Sequence, residues 1–130
     1  MSFELEPVYL ELQDEAREVA RTVEPIAAEA DAMSSLHPGV MDALRDSRLW
    51  EILVPADHGG RFETLDPLAI AVVREVLMAT SSHLDSLFAL QGIGSFAITK
   101  GGSDEQRARW LPTVVTGETL AALAPTEPEA

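Results

Sequence analysis

The sequence predicts an all-α fold, a bundle of about five or six helices, on three observations. Apolar residues fill 46% of the 130 positions but aromatic ones only 5%, so a core must be built mainly from Ala, Leu, Val and Ile. That mixture suits closely packed helices better than a sandwich of strands. Apolar positions recur three and four residues apart in successive segments, the period of an amphipathic helix. The connections between these segments are short and carry helix start and stop residues. The length fits one domain with a real core, not two of ordinary size.

In the first helix, from about Val8 to Val23, Leu12, Ala16, Val19, Ala20 and Val23 form one stripe. Glu11, Glu15, Arg17 and Glu18 fall mostly off it. Pro25 lacks an N–H and disfavours α geometry at Glu24, so it bends the chain before helix resumes through Ile26 to Ala32. Ser34 to Pro38 is a linker with Pro38 at the first position of a new helix, whose buried face is Val40, Met41, Leu44 and Leu49. After Trp50 the chain is expected to extend through Ile52-Leu53-Val54, turn at Pro55, and make a tight turn at Gly59-Gly60.

Asp66-Pro67 is a strong helix start, Asp as N-cap and Pro at the first helical position. Leu68, Ile70, Ala71, Val73, Val76, Leu77 and Met78 make that helix apolar on most sides, which predicts a place at the centre of the bundle. Thr80-Ser81-Ser82 ends it and can cap the next helix, about His83 to Lys100. Gly92 and Gly94 inside that helix each cost about 1 kcal/mol relative to Ala. Either a neighbouring segment approaches closely there or a ligand lies against the face. Gly101-Gly102 is expected to close the helix in the left-handed conformation, and Ser103-x-x-Gln106 is a capping box. It opens a short helix ending around Trp110-Leu111-Pro112, and Ala121 to Ala124 then look like an entering strand.

A formal net charge of −13 disfavours nucleic-acid backbones and anionic membrane surfaces. The absence of cysteine excludes disulfides, thiolate chemistry and cysteine-ligated metal. Met1 to Pro7 carries Glu4 and Glu6 without a basic or apolar run, unlike a signal or transit peptide. No segment approaches the roughly 20 apolar residues of a membrane span. A soluble, cytoplasmic protein is expected. His37, His58 and His83 lack metal-ligand spacing, Gly59-Gly60 lacks a phosphate-loop fingerprint, and neither Ser95 nor Ser103 lies in a nucleophile elbow. Trp50 and Trp110 read as core or inter-domain anchors.

Six stretches recur in a distinctive order: Pro25 to Asp31, Val54-Pro55 with Gly59-Gly60, Gly102 to Gln106, Trp110-Leu111-Pro112, Gly117-Glu118, and Thr126-Glu127-Pro128-Glu129-Ala130. Together they resemble the N-terminal helical domain of the acyl-CoA dehydrogenase family, flavoenzymes that desaturate acyl thioesters. The resemblance implies a helical domain over residues 1–120 and, over 121–130, the first strand of a β middle domain that is not in this sequence.

In the family a carboxylate removes the α-proton of the thioester while hydride leaves the β-carbon for FAD. That base lies in a C-terminal helical domain, so the resemblance assigns no catalytic residue here; Glu127 matches a structural position of the motif. It implies Leu123, Pro125 and Thr126 as flavin contacts, with Pro125 lacking the N–H that an ordinary residue would offer. Ser86, Ala89, Leu90 and Ile93 would line the acyl cavity, although packing uses the same residue types. Implied partners are an acyl-CoA or acyl-carrier-protein thioester, an electron-transfer flavoprotein, and further copies of the chain in a homo-oligomer, commonly a tetramer. Open alternatives are an acyl-CoA oxidase or flavin monooxygenase on the same scaffold, or a helical interaction domain without flavin.

Overall fold

The computed structural model describes residues 4–129. Met1 to Phe3, part of the segment read as no signal peptide, and Ala130, the last residue of the Thr126 motif, lie outside the described residues. Among the described residues six α-helices follow in order: α1 Pro7–Val23, α2 Ala27–Ala32, α3 Pro38–Ser47, α4 Pro67–Thr80, α5 Ser82–Gly101 and α6 Asp104–Thr116. There is no strand among them, only an isolated bridge between Pro55 and Phe62. The all-α expectation therefore holds.

Each of the first helices forms where its residues dictate. The α1 stripe of Leu12, Ala16, Val19, Ala20 and Val23 is buried throughout, and Pro25 sits in a 3-10 turn, Glu24–Ile26, that bends the chain into α2. The imidazole of His37 caps α3 by accepting from Gly39 N–H, and Pro38 follows at the first helical position. Asp66 caps α4, accepting from the N–H groups of Leu68 and Ala69. Ser81, the single residue between α4 and α5, caps α5 through Leu84 N–H. The Ser103–Gln106 capping box is fully formed at α6.

The core is continuous from α1 through α5. Trp50, Phe88, Leu12, Leu44, Leu53 and Leu77 are its largest fully buried side chains. α1 packs along α4, and α5 meets α2, α3, α4 and α6. The helix at the centre is α5, because it touches the elements on every side of it. α4 buries Ala69, Val72, Val73 and Leu77 but leaves Leu68 and Met78 nearly half exposed. Its apolar outer face, read from the sequence as central burial, is thus a surface.

Three local expectations change. Leu49–Leu53 is a 3-10 helix, not an extended run, and Leu49, Trp50, Ile52 and Leu53 are all buried in it; helical spacing puts all four into the core, where alternation would have turned half of them outward. Gly102 is extended (φ −71°, ψ 154°) and not left-handed. The glycine is needed for space, since a Cβ there would lie 2.6 Å from the Ile98 carbonyl oxygen.

α6 runs through Pro112 to Thr116 and ends at Gly117, which takes the left-handed conformation (φ 70°). Pro112 is on the exposed side while Leu111 and Val114 are buried, so packing carries the helix past the missing hydrogen bond. Beyond Glu118, residues 120–127 have no regular secondary structure.

Candidate acyl groove and flavin-facing segment

The most apolar hollow, about 370 Å³, lies between α4 and α5. Pro67, Ile70 and Arg74 of α4 form one wall, at the three- and four-residue spacing of one helix face. Ala89, Gly92, Ile93 and Phe96 of α5 form the other, with Leu53 and Leu65 beneath. A Cβ on Gly92 would come within 3.0 Å of Leu53 Cδ2, so this glycine lets the 3-10 helix seat against α5. On the far side of α5 a second, more polar hollow of about 430 Å³ is bordered by Asp31, Ser82, His83, Ser86 and Leu90.

The four residues expected to line an acyl cavity are therefore split. Ala89 and Ile93 share the α4–α5 groove, whereas Ser86 and Leu90 border the second hollow. Ser86, Leu90 and Ile93 are exposed and form a continuous ridge between the two. Among the described residues that ridge is left open, and Phe96 beside it is 46% exposed, with Lys100 Nζ 5.8 Å from its ring centroid.

The last described segment is tied to α5 by a residue that the sequence reading passed over. Gln91 is buried, 1% exposed. Its Nε2 donates to the carbonyls of Val114 (2.9 Å) and Thr119 (2.8 Å). Its Oε1 accepts from Ala121 N–H at 2.7 Å. Every strong hydrogen-bonding position of that amide but one is used, and all three bonds hold the turn after α6 against α5. Gly94 completes the contact: a Cβ there would lie 2.7 Å from Ala122 N and 2.8 Å from Ala121 Cβ. Close approach of a neighbouring segment thus accounts for Gly92 and Gly94.

Past Ala121 the chain is exposed. Leu123, Pro125 and Thr126 all face solvent, and the backbone of 122–126 makes no hydrogen bond among the described residues. This arrangement fits a planar, hydrogen-bonding ring such as a flavin. The N–H groups of Leu123, Ala124 and Thr126 are free to donate, and Pro125 can offer only its carbonyl.

Two charged constellations stabilise the hairpin that carries the groove. Arg74 donates from Nε (2.9 Å) and Nη2 (2.7 Å) to the two oxygens of Asp85, whose side chain is 1% exposed. These hydrogen bonds raise the Arg74 pKa further, against the effect of burial. At the start of α5, Asp31 accepts from the Ser81 hydroxyl (2.6 Å), His83 N–H (2.9 Å) and Ser82 N–H (3.3 Å). The Ser81 and His83 bonds lower its pKa from the ordinary carboxylate value, as expected for an anion at a helix N-terminus. Gln91, Arg74 and Asp85 have one signal in common: each is a charged or amide side chain in a helix of mostly apolar residues.

Among the described residues no group of three His, Cys, Asp or Glu is arranged to hold a metal ion. His37 and His83 bond the backbone: His37 Nδ1 accepts from Gly39 N–H, and His37 N–H donates to His83 Nε2, each at 3.1 Å. No helix among the described residues is long and apolar enough to cross a membrane.

Comparison with known proteins places this geometry. The family pattern described as "Acyl-CoA dehydrogenase, N-terminal domain" matches residues 7–118. Cyclohexane-1-carbonyl-CoA dehydrogenase of Geobacter metallireducens is 33% identical over 115 residues, covering 88% of this chain and 30% of that protein. The 3-sulfinopropanoyl-CoA desulfinase of Paraburkholderia xenovorans is 31% identical over 98% of this chain and 33% of its own length. Among solved structures, nitroalkane oxidase in complex with spermine superposes with a TM-score of 0.81 at 25% identity, over 99% of this chain and 32% of that one. The chain thus spans about a third of the length of these relatives. With the family pattern covering nearly all of α1 to α6, the chain belongs to the acyl-CoA dehydrogenase family, as its N-terminal domain.

Proposed function

We propose that these residues form the N-terminal part of an FAD-dependent acyl-thioester dehydrogenase, supplying one wall of the acyl pocket and one edge of the flavin site. The observation that carries this reading is the juxtaposition on α5: an uncovered apolar ridge and groove beside a backbone segment, 122–126, with free hydrogen-bonding groups. Ala89 and Ile93 line the acyl groove, Ser86 and Leu90 extend its rim, and Leu123, Pro125 and Thr126 meet the flavin. The groove excludes water from an alkyl chain; the Gln91 clamp orients the flavin-facing backbone. FAD, when bound, accepts the hydride that leaves the β-carbon.

Among the described residues no carboxylate lines the α4–α5 groove, so these 130 residues alone should be catalytically silent. In this reading residues 1–120 are the helical domain and 121–130 begin a β middle domain. The substrate is an acyl-CoA or acyl-carrier-protein thioester, the acceptor an electron-transfer flavoprotein, and the protein a cytoplasmic homo-oligomer. Relatives whose names specify cyclohexane-1-carbonyl-CoA and (2S)-methylsuccinyl-CoA as substrates support a thioester that is not a simple straight chain.

A second reading, an oxidase or a flavin monooxygenase on the same scaffold, draws support from the fold shared with nitroalkane oxidase. The test is the visible spectrum of the purified full-length protein, followed by anaerobic addition of an acyl-CoA. Bound flavin that bleaches supports the dehydrogenase or oxidase reading, and reoxidation by air then separates those two. Bound flavin that stays oxidised with every acyl-CoA tried refutes both and favours the monooxygenase. Absence of flavin even after FAD is supplied would leave a helical interaction domain.

A further inference from the structure

We propose that Arg74 makes the inner end of the α4–α5 groove a subsite for a carboxylate on the acyl tail, so that the protein favours mono-thioesters of dicarboxylic acids over plain alkanoyl thioesters of equal length. The inference rests on the acyl-pocket reading above and names its substrate class. Arg74 is the one charged side chain among the residues lining an otherwise apolar groove, and its side chain remains 44% exposed there. Its placement is rigid: Nε and Nη2 grip the two oxygens of a carboxylate that is itself buried.

A guanidinium has five N–H donors, and this grip uses two of them. Nη1 makes no hydrogen bond among the described residues. The pair is therefore a fixed dipole with Asp85 behind it and an unspent donor edge away from Asp85. A methyl-ended chain pushed against that edge would strip water from the guanidinium and return nothing. A carboxylate would return charge-assisted hydrogen bonds.

The position also suits a tail. The flavin-facing segment crosses α5 at Gly94, and Arg74 meets α5 at Asp85. At 1.5 Å per residue these levels are about 13 Å apart along the helix, the scale of a medium-length acyl chain. The groove itself runs along α4 from Pro67 to Arg74, so the charge lies at one of its ends.

The test uses two ligands that cannot be desaturated, the thioethers S-octyl-CoA and S-(7-carboxyheptyl)-CoA, which carry the same number of tail carbons. Calorimetric titration of the flavin-loaded protein is expected to show the carboxylated ligand bound about ten-fold more tightly. The double variant Arg74→Leu/Asp85→Leu removes the pair without leaving a buried charge. It should abolish or invert that preference, which is read as the ratio of the two affinities within one protein.

Should the double variant not fold, Arg74→Lys serves. A lysine drawn to Asp85 keeps the charge but lacks the planar fork with its second donor edge, so much of the preference should vanish. Equal affinity for the two ligands in the unsubstituted protein, or a preference that survives these substitutions, overturns the subsite and leaves the acyl pocket standing. Failure of both ligands to bind overturns the acyl pocket, and the subsite with it.

Discussion

Replacing Gln91 by Leu removes the clamp between α5 and the segment that follows α6, with little change in side-chain volume. Three hydrogen bonds disappear, to the Val114 and Thr119 carbonyls and from Ala121 N–H. Their loss is unequal. The Val114 carbonyl keeps a second partner, Gly117 N–H at 3.2 Å. The Thr119 carbonyl and the Ala121 N–H have no other hydrogen bond and are left beside an apolar side chain. An orphaned, desolvated group costs about 1–3 kcal/mol.

Both residues are only half buried, so the low end of that range applies, about 1–1.5 kcal/mol each, and the pair costs about 2–3 kcal/mol. The chain can avoid the cost by letting 119–122 lift into water. Hydrogen exchange at Ala121 N–H should then accelerate by a factor of about 30 to 150, the same free energy read as an opening constant. Amides in the middle of α1, remote from the clamp, should be far less affected. The urea midpoint should fall by less than the full cost implies. Unchanged Ala121 protection in a folded Gln91→Leu protein would refute the reasoning, since the amide would then owe nothing to the clamp.

Further substitutions test other parts of the argument. Gly94→Val puts atoms where Ala122 N and Ala121 Cβ already lie, so it should displace the same segment and cost about 1–3 kcal/mol, seen as a lower melting temperature and loss of Ala121 protection; an unaltered melting temperature would contradict the close approach. Pro112→Ala should stabilise, by about 1–3 kcal/mol, because it restores an α6 hydrogen bond at an exposed position; a lower urea midpoint would show that Pro112 is held by a contact outside this chain or has some other role. Asp31→Asn should cost about 0.5–1 kcal/mol at neutral pH, as for a lost N-terminal anion or cap. The folded-state pKa of Asp31 is lowered, so its stabilisation is fully present above the unfolded carboxylate value and is lost as pH falls through the folded one. Urea midpoints of the two proteins should therefore converge in strong acid, and a gap that widens there would reverse the assigned sign.

The helix starts were legible because their causes are local. Asp66, Ser81 and Ser103 each bond an N–H two or three residues ahead, a relation that a linear reading contains. The α1 stripe was legible for the same reason. What failed depended on partners distant in sequence. Leu49–Leu53 could be a strand or a 3-10 helix until the core behind it set the spacing. Gly102 carried the right residue for the wrong cause, because its requirement comes from the Ile98 carbonyl and not from its own φ. Pro112 ends a helix on intrinsic preference, but Leu111 and Val114 bury enough on either side of it to override that preference.

The apolar length of α4 was read as burial, yet its outward half has no partner in this chain.

α5 shows why the site was harder to read than the fold. Three demands fall on its successive faces. Phe88 and Leu84 fill the core; Gln91, Gly94 and Ser95 meet α6 and the segment beyond it or bond within the helix; Ser86, Leu90 and Ile93 stay exposed. A helix with one buried face shows a clear apolar stripe. One that also holds a neighbouring segment and presents an apolar ridge has no polar face left to contrast with it, so periodicity cannot separate packing from pocket. Only the exceptions to the apolar pattern remain informative, and on this hairpin those exceptions are Gln91, Arg74 and Asp85. Gln91 fixes where the backbone after α6 runs, and the Arg74–Asp85 pair holds a charge on the groove wall. Shape and charge are the two quantities a binding surface must specify. Each is set here by a side chain whose burial would be costly if it did nothing but fill space.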